Sequence, residues 1–515
     1  MKFKQAFSRT EPPGGGVSLE ELISADNEAR FIDAFVDSLP LDKLGFRTDF
    51  PENGRPAYHP TVLLKLLVYG YLNRIRSSRC LEKECRRNIE LMWLLGQLAP
   101  DHNTIANFRK NHSKAITRVF RATVKMARHF QLIGGELLAG DSTKLRAQNS
   151  KKNNFNRGKI ARHLAYIEDK LSDYQLALAQ TDQACQTGQL LDAMARHALR
   201  REYYLKLLQQ LQDSGQDQVS TSDPESRQLI IRNTITEVAY NVEATVDARH
   251  CLLIDYRVTN HNDRQAMGPM LRRAKSIVRN NSFTALFDKG HYAGSELETA
   301  RGLGITALVA SPAPAANAPD PAYNVEFFAY DHASDTYTCP QGFTLTTNGH
   351  VYTKNLNRSS PTSFRQYRTK ACKTCAVRSL CTTARNGKLI ERNLYSPLFE
   401  LNRQNVAANP ELYRRRQAIV EHPFGTIKRQ WGYSYVLTKK GMVSAAADVG
   451  LMLVAYNLRR ILKIVGLERR LAYCAAFLSV LWHLRAVHGA CWPGFGQRRK
   501  GLIMCAVYLQ ITIFS

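Results

Sequence analysis

The order of sequence periodicities between residues 240 and 312 constrains the fold more than any other feature of the chain. The segment YNVEATVDARHCLLIDYRVTN shows two stretches of period-two alternation, which predicts a β-hairpin. MGPMLRRAKSIV then predicts a helix, FTALFDKGHY a buried strand, GSELETARGLG a helix and ITALVASP another strand. A hairpin followed by strands that alternate with helices favours an α/β fold.

Three acidic residues lie in unusual sequence contexts. ELLAGD and FTALFD are apolar runs that end in Asp141 and Asp288, and a carboxylate is costly at the end of a buried strand unless it has a partner. The third acid, Glu421, lies in IVEHPFGTIKRQW, a segment rich in bases. The plain alternatives are capping or turn roles for the two aspartates. For Glu421 the alternative is an ion pair with Arg414, Arg416 or Lys428.

The charge of the chain points to a polyanionic partner. Its 515 residues, enough for roughly three domains, carry 71 Lys and Arg against 44 Asp and Glu, a formal net charge of +27. Nucleic acid is the commonest polyanion, although a generally basic surface without a specific partner is the alternative. We find no signal peptide and no apolar run of the ~18 residues that a membrane span needs. Eleven cysteines without a secretory signal indicate reduced thiols or a metal site in the cytosol.

Three carboxylates that meet in a basic cleft repel one another unless cations lie between them. Mg²⁺ prefers oxygen ligands and is readily shared with phosphates. Two such ions, ~3.5–4 Å apart, can activate an attacking oxygen and stabilise a leaving oxygen in phosphodiester chemistry. If the three acids converge, the chemistry therefore favours a two-metal site that acts on nucleic acid.

Four segments resemble the conserved blocks of bacterial insertion-sequence DDE transposases, in particular the group numbered eleven-eighty-two. They are AGDSTKLRAQNS, DKGHY, VEHPFGTIKRQWGY and AYNLRR, and the resemblance extends from about residue 45 to about residue 465. It implies a ribonuclease H-like catalytic core with Asp141, Asp288 and Glu421 as the triad that binds two Mg²⁺ ions, which Mn²⁺ can replace. It also implies that Lys428 contacts DNA near the transferred end.

Other residues of the third block are candidate DNA contacts. Related hairpin-forming transposases carry an arginine four residues before the glutamate, where this chain has Gln417, so Arg416 is the candidate substitute. Arg429 is a further basic candidate, and Trp431 is expected to stack on an unpaired base or, alternatively, to be a core tryptophan. Pro423 lies two residues after Glu421, so a helix here is expected to begin or kink near it.

The sequence predicts six segments around this core. They are a flexible leader (1–16), a helical DNA-binding domain (17–133), a ribonuclease H-like core (134–310 with 391–465), a helical insert within the core (156–215), a linker and cysteine-rich insert (311–390), and a tail of unknown role (466–515). In the helical insert, Ile160, Leu164, Ile167, Leu171, Tyr174 and Leu178 form a heptad seam. This seam predicts a helical hairpin that serves packing, dimerisation or DNA contact.

The cysteine-rich insert is a candidate zinc site. Cys372 and Cys375 form a C-x2-C pair, Cys381 follows the pair and Cys339 precedes it, and thiolates of this kind suit tetrahedral Zn²⁺. His332 or His350 is an alternative ligand, and four unlinked reduced thiols are the plain alternative. The resemblance favours the four cysteines, because family members often carry a similar cluster here.

The expected function is therefore a magnesium-dependent DNA transposase that cleaves insertion-sequence ends and joins them to target DNA. The alternatives are a ribonuclease H-fold nuclease without strand transfer and a non-catalytic DNA-binding repressor derived from a transposase. The expected partner is double-stranded DNA, comprising element terminal repeats and target. The expected assembly is a homodimer on DNA in the bacterial cytoplasm, associated with the nucleoid.

Overall fold

The structure is a computed structural model that describes residues 3–11, 16–49, 56–180, 184–232, 235–313, 317–354, 362–437 and 440–475. Its contacts divide the described chain into two units. The first comprises described residues of Met1–Gly134, Asp141–Asn262 and Ile419–Ser515, and the second comprises those of Gly135–Gly140 and Asp263–Ala418.

The N-terminal part of the first unit is helical, as the sequence predicts. Its helices are α1 (Leu19–Leu22), α2 (Glu28–Asp37), α3 (Leu41–Leu44), α4 (Pro60–Leu72), α5 (Ser78–Glu84), α6 (Ile89–Leu95), α7 (His102–Asn111) and α8 (Ser113–His129). Pro60 occupies the first turn of α4, and Ser77 and Asp101 cap α5 and α7 by accepting hydrogen bonds from backbone N–H groups.

Residues 3–11, which belong to the segment expected to be a flexible leader, make specific contacts. Lys4 N donates to Ala57 O at 2.9 Å, and Phe7 N donates to Gly96 O at 3.0 Å. The Arg9 guanidinium lies 2.8 Å from the buried Asp33 carboxylate and stacks on the Trp93 ring. A buried carboxylate needs a cation, and Arg9 supplies one from this segment.

The chain then enters the central sheet and the predicted helical insert. The elements are β1 (Leu137–Arg146), β2 (Asn154–Asn156), α9 (Arg157–Ala179), α10 (Ala184–Ser214), β3 (Gln218–Ser220), β4 (Arg227–Arg232), β5 (Ile235–Asp247) and β6 (Leu252–Thr259). Ile160 and Ile167 of the seam are fully buried against Leu207 and Leu211, with Leu164 and Leu171 packed beside them. The helical hairpin is confirmed, although α10 begins at Ala184, so that CQTGQ lies within this helix rather than forming the predicted turn.

The rest of the chain contains two strands of the central sheet, a second sheet and the last helices. The elements are α11 (Met267–Val278), β7 (Thr284–Phe287), α12 (Gly294–Gly302), β8 (Thr306–Val309), β9 (Ala329–Asp331), β10 (Thr336–Thr338), β11 (Thr344–Lys354), β12 (Thr362–Arg368), α13 (Arg378–Cys381), β13 (Ile390–Asn393), α14 (Ser396–Ala408), α15 (Pro410–Gly425) and α16 (Met442–Ile464). The helices and strands predicted between residues 240 and 312 are all present.

Strands of the main sheet pair in the order β4-β5-β1-β7-β8, and β6 also pairs with β5. The hairpin β5–β6 is antiparallel, with Asn241 opposite Thr259 and Ala244 opposite Tyr256. In contrast, β7 is parallel to both β1 and β8. An antiparallel hairpin thus precedes a parallel α/β part.

Helix α16 forms the centre of the first unit's core and packs against α8 and α4. It is a long apolar helix whose polar Asp448 is completely buried. The Asp448 carboxylate accepts hydrogen bonds from the Tyr71 hydroxyl and from Leu437 N, and Arg76 lies 3.5 Å away. Paired in this way, the buried charge connects α16 to α4 and to the segment before α16.

The cysteine-rich insert folds as a five-stranded sheet in the order β13-β12-β11-β10-β9 within the second unit. Its small apolar core contains Phe328, Tyr337, Leu345, Tyr367 and Ile390. Residues 476–515 of the predicted tail lie outside the described residues. None of the helices within the described ranges has the length and apolar character required to cross a membrane.

Candidate active site

Asp141 lies within β1 rather than at its end. Leu137, Leu138 and Ala139 pair with Thr284, Ala285 and Leu286 of β7, and the strand continues past Asp141 to Arg146. The prediction that the strand ends at Asp141 is wrong, because polar residues continue the extended backbone. Asp141 Oδ1 accepts a hydrogen bond from Ser142 N at 2.7 Å.

The residues that immediately precede the two aspartates pack tightly in the second unit. A Cβ atom placed on Gly140 would lie 2.1 Å from Cε1 of the Phe287 ring. Any larger residue at position 140 would displace this ring. Glycine in AGD thus allows β1 and β7 to approach closely just before each strand reaches its acid.

Asp288 follows β7 directly and caps a short 3₁₀ turn, Lys289–His291. Its Oδ1 accepts two hydrogen bonds, from Gly290 N at 3.0 Å and from His291 Nδ1 at 2.8 Å. Burial raises the pKa of Asp288, but the His291 hydrogen bond and the charges of His291 and Arg416 outweigh it, so the pKa lies below its ordinary value. The predicted strand end and the capping role are both present.

His291 is completely buried, and its ring lies 5.1 Å from that of Phe287. Its Nδ1 is committed to Asp288, whereas its Nε2 has no hydrogen-bond partner among the described residues. From the sequence, His291 of DKGHY either reaches the site or is a structural histidine. The capping geometry shows that this side chain holds one oxygen of Asp288.

Glu421 is exposed on α15, which continues through Pro423 to Gly425. A π-helical turn, Thr426–Gln430, follows without a break, and Trp431 N donates to Thr426 O at 3.0 Å. Proline lacks an N–H group and clashes with the preceding turn, which accounts for a change in helical geometry near this position. The helix therefore does not begin at Pro423; the regular α-helix ends two residues later.

Arg416 lies on α15 and is half-buried. Its charge contributes to the lowered pKa of Asp288. Tyr413, one turn earlier, donates a hydrogen bond to Phe287 O at 2.9 Å. Within the second unit, α15 thus contacts the end of β7 and brings a guanidinium towards Asp288.

Lys428 lies beside β1 in the first unit. Its Nζ donates to Thr143 Oγ1 at 3.0 Å and to Lys144 O at 3.4 Å. Thr143 is two residues from Asp141, so both side chains emerge from the same face of the strand. Burial, followed by the charges of Lys144 and Arg429, lowers the pKa of Lys428. Arg429 itself is exposed.

Trp431 is buried, with 9% of its surface exposed. Its ring lies 5.7 Å from that of Tyr433 and 6.5 Å from that of Tyr456. The expectation that Trp431 stacks on a base is not supported, because the ring is already packed in the core. The structure favours the alternative of a core tryptophan.

The structure does not establish a metal centre. Asp141 and Glu421 belong to the first unit and Asp288 to the second. Within the described ranges, no group of three or more His, Cys, Asp and Glu side chains has an arrangement that could hold a metal ion. The donor chemistry of the three carboxylates suits Mg²⁺.

The four cysteines of the insert line a single cavity of about 30 Å³, together with apolar residues that include Phe328, Phe343 and Leu345. Burial raises the pKa of the Cys381 thiol, Lys388 lowers it, and the other three thiols raise it further. The predicted cysteines are thus neighbours, although no three of them have the geometry of a metal site. The alternative ligand His332 instead lies 3.5 Å from the Glu400 carboxylate.

Two residues that the sequence did not single out organise this cluster. Lys388 is buried, and its Nζ donates to Asn317 O, Tyr323 O and Cys381 O at 3.0–3.4 Å. Gly387 has a φ of +85°, and a Cβ atom there would lie 2.5 Å from Cys372 Cβ. The only signal in the sequence was the dipeptide Gly-Lys, which is too common to be informative.

Two segments of the chain match known protein families. Residues 17–111 match the transposase domain (DUF772), and residues 338–462 match the transposase DDE domain. The second match includes Glu421 and the four cysteines, whereas Asp141 and Asp288 lie outside both matches. No curated protein and no solved structure is significantly similar to the chain. The two family matches support the assignment of this chain to the insertion-sequence DDE transposases.

Proposed function

We propose that this chain cleaves the ends of an insertion-sequence element and joins them to target DNA, with Asp141, Asp288 and Glu421 as its catalytic acids. The register of β1 and β7 carries the proposal. Asp141 and Asp288 each come two residues after a paired position, Ala139 and Leu286, on neighbouring parallel strands. Glu421 lies within the segment that matches the DDE domain.

The strand order supports a ribonuclease H-like core. The core contains five strands, which in chain order are β1, β5, β6, β7 and β8. Their order across the sheet is β6-β5-β1-β7-β8, which corresponds to 3-2-1-4-5 when the strands are numbered along the chain. Strands β5 and β6 form an antiparallel hairpin next to β1, and β7 and β8 extend the sheet in parallel on the other side of β1, as expected of a ribonuclease H-like core. Asp141 lies on the central strand β1, Asp288 directly follows its parallel neighbour β7, and Glu421 lies on the C-terminal helix α15.

The role of each side chain follows from its surroundings. The three carboxylates supply oxygen ligands for divalent cations, which DDE transposases generally use and which stabilise charge on a reacting phosphate. Arg416, Lys428 and Arg429 supply positive charge for the DNA backbone. His291 holds Asp288 Oδ1. The DNA partner, a homodimer on DNA and a cytoplasmic location belong to the same proposal.

Neutral variants of the acids test the catalytic assignment. Purified chain is incubated with labelled element ends and Mg²⁺, and nicked, hairpin and joined products are resolved. Asp288→Asn is informative because asparagine also caps a helical turn well, so the change removes charge and keeps the cap. Asp141→Asn, Asp288→Asn and Glu421→Gln should each abolish cleavage while end binding persists.

The matched control is Glu411→Gln, an exposed glutamate on the same helix as Glu421 that pairs with Arg414. It should cleave normally. Full cleavage by a triad variant removes that residue from the site. If the wild-type chain only nicks DNA, the nuclease alternative is supported; if it binds element ends without cutting, the repressor alternative is supported.

We also propose that Cys339, Cys372, Cys375 and Cys381 bind a structural Zn²⁺. The shared cavity supports this, because four neighbouring thiols on a small domain suit tetrahedral sulfur ligation. Elemental analysis of chelator-washed protein should find one tightly held zinc. It should be lost in the double variant Cys372→Ser/Cys375→Ser and kept in the control Cys80→Ser/Cys185→Ser, whose cysteines are exposed elsewhere. Absent zinc, or zinc that survives the first double change, overturns this proposal.

A further inference from the structure

Helix α8 has two sharply different faces. Its buried face consists of Ala115, Ile116, Val119, Phe120, Thr123, Val124, Met126 and Ala127 and packs against α16. Four bases occupy exposed positions of the same helix: Lys114, Arg118, Arg121 and Lys125. Their spacing of four, three and four residues places them along one side, here called the α8 basic face. At 1.5 Å per residue, this face is ~16 Å long.

Helix stability does not explain these bases. The sequence SKAITRVFRATVKMARH contains no Asp or Glu. Like charges four residues apart repel each other, which costs a few tenths of a kcal/mol per pair. Lys114 also lies in the first turn, where a cation opposes the helix dipole. In contrast, the exposed helices α9 and α10 carry acids as well as bases, as the Arg201–Glu168 pair between them and the Lys206–Glu202 pair within α10 show.

Among the residues that the structure describes, no carboxylate neutralises the positive charge of this face. Across the described ranges, Lys114, Arg121 and Lys125 form no ion pair with a carboxylate. Arg118 donates a hydrogen bond to Leu44 O at 2.9 Å, and because this oxygen carries no formal charge, the contact does not balance the charge of the guanidinium. The other face of α8 packs against α16, so the backbone positions of the four cations are fixed before a partner binds, and only their side chains have to become ordered.

We propose that the α8 basic face binds the phosphate backbone of double-stranded DNA without reading its sequence. This proposal rests on the proposed function, in which DNA is the substrate. Lys and Arg side chains donate hydrogen bonds and accept none, so the negatively charged phosphate oxygens of DNA are their complementary partner. Binding also releases the counterions that are condensed on the DNA. Residues 113–129 lie outside both family matches, so neither match assigns this role.

The test uses the full chain and a non-specific DNA duplex. In the variant Lys114→Gln/Arg121→Gln/Lys125→Gln, three phosphate contacts are lost. Because each contact contributes ~0.9 to the slope of log K against log salt, the slope should fall by about 2–3. The matched control is Arg272→Gln/Arg279→Gln/Arg301→Gln, which removes three exposed bases from α11, its C-terminal cap and α12. Its slope should change by less than about 1.

The outcomes distinguish a failure of this proposal from a failure of the proposed function. An unchanged slope for the α8 variant overturns the proposal, and so does a fall equal to that of the control, which indicates a net-charge effect. The charge-preserving variant Lys114→Arg/Arg121→Lys/Lys125→Arg should keep the wild-type slope, and a loss there overturns it as well. If the wild-type chain binds no DNA, the proposed function fails instead. Circular dichroism checks that each variant is folded.

Discussion

The contact between His291 and Asp288 leads to a prediction in which activity and stability separate. His291 Nδ1 donates to Asp288 Oδ1 at 2.8 Å, while the buried Nε2 has no partner within the described structure. The change His291→Leu removes both groups from a completely buried position. Loss of the hydrogen bond lowers the stability of the fold, whereas removal of the unsatisfied Nε2 raises it. For the Asp288 carboxylate, nothing offsets the loss of the hydrogen bond.

The magnitudes follow from these two groups. A hydrogen bond to a charged carboxylate stabilises by ~1.5–3 kcal/mol, and an unsatisfied buried polar atom costs ~1–3 kcal/mol. Removing both should change the free energy of unfolding by less than about 1.5 kcal/mol. An untethered metal ligand typically lowers activity ~10–100-fold. We therefore expect cleavage to slow by that factor in a variant that folds normally.

Two conservative variants identify the atom responsible. In His291→Asn the amide nitrogen lies near the position of Nδ1 and can donate to Asp288, so most activity should return. In His291→Gln the amide lies near Nε2, which has no partner, and activity should remain low. The assays are single-turnover cleavage as a function of Mg²⁺ concentration, and denaturant unfolding for the free energy.

Two results would contradict this reasoning. If the leucine variant cleaves at the wild-type rate, His291 does not position Asp288. If the glutamine variant is active and the asparagine variant is not, the functional atom is Nε2 rather than Nδ1. A loss of stability above ~3 kcal/mol would instead indicate a mainly structural histidine.

Three further predictions concern stability and local packing. Burial raises the pKa of Asp33, but Arg9 and Lys65 lower it more, so the pKa in the folded protein lies below its ordinary value. The ionised Asp33 therefore stabilises the fold above about pH 4, and this stabilisation is lost as the pH falls through the folded pKa. Asp33→Asn should therefore lower the free energy of unfolding, measured with denaturant, by ~3–5 kcal/mol at pH 7. The difference from wild type should shrink below about pH 4, and a difference that does not depend on pH would refute the assignment. Gly140→Ala should displace the Phe287 ring and slow cleavage at least tenfold (~1.4 kcal/mol) while DNA binding persists; normal cleavage would show that this close approach is unimportant. Gly387→Ala should destabilise the cysteine insert more than Gly342→Ala, since both have positive φ but only Gly387 would also meet Cys372; equal hydrogen-exchange protection in the two variants would contradict this.

The alternation of residues determined much of the fold from sequence alone. Periodicity indicates local structure directly, so the hairpin β5–β6, the strand before Asp288 and the paired helices α9 and α10 were all predictable. The three acids were identified from apolar runs, from their basic surroundings and from resemblance. Side-chain packing between distant segments has no such local signal.

The tertiary structure decided how particular residues are used. Trp431 was ambiguous in sequence, because both a base-stacking and a core tryptophan lie among apolar and basic neighbours, and only its packing on Tyr433 and Tyr456 shows that it is buried. The need for glycine at position 140 depends on a ring 147 residues away in the sequence, that of Phe287. The four thiols share a cavity only because the strands of the insert bring Cys339 next to the pair that follows. Such relations depend on distances through space, which a linear pattern does not record.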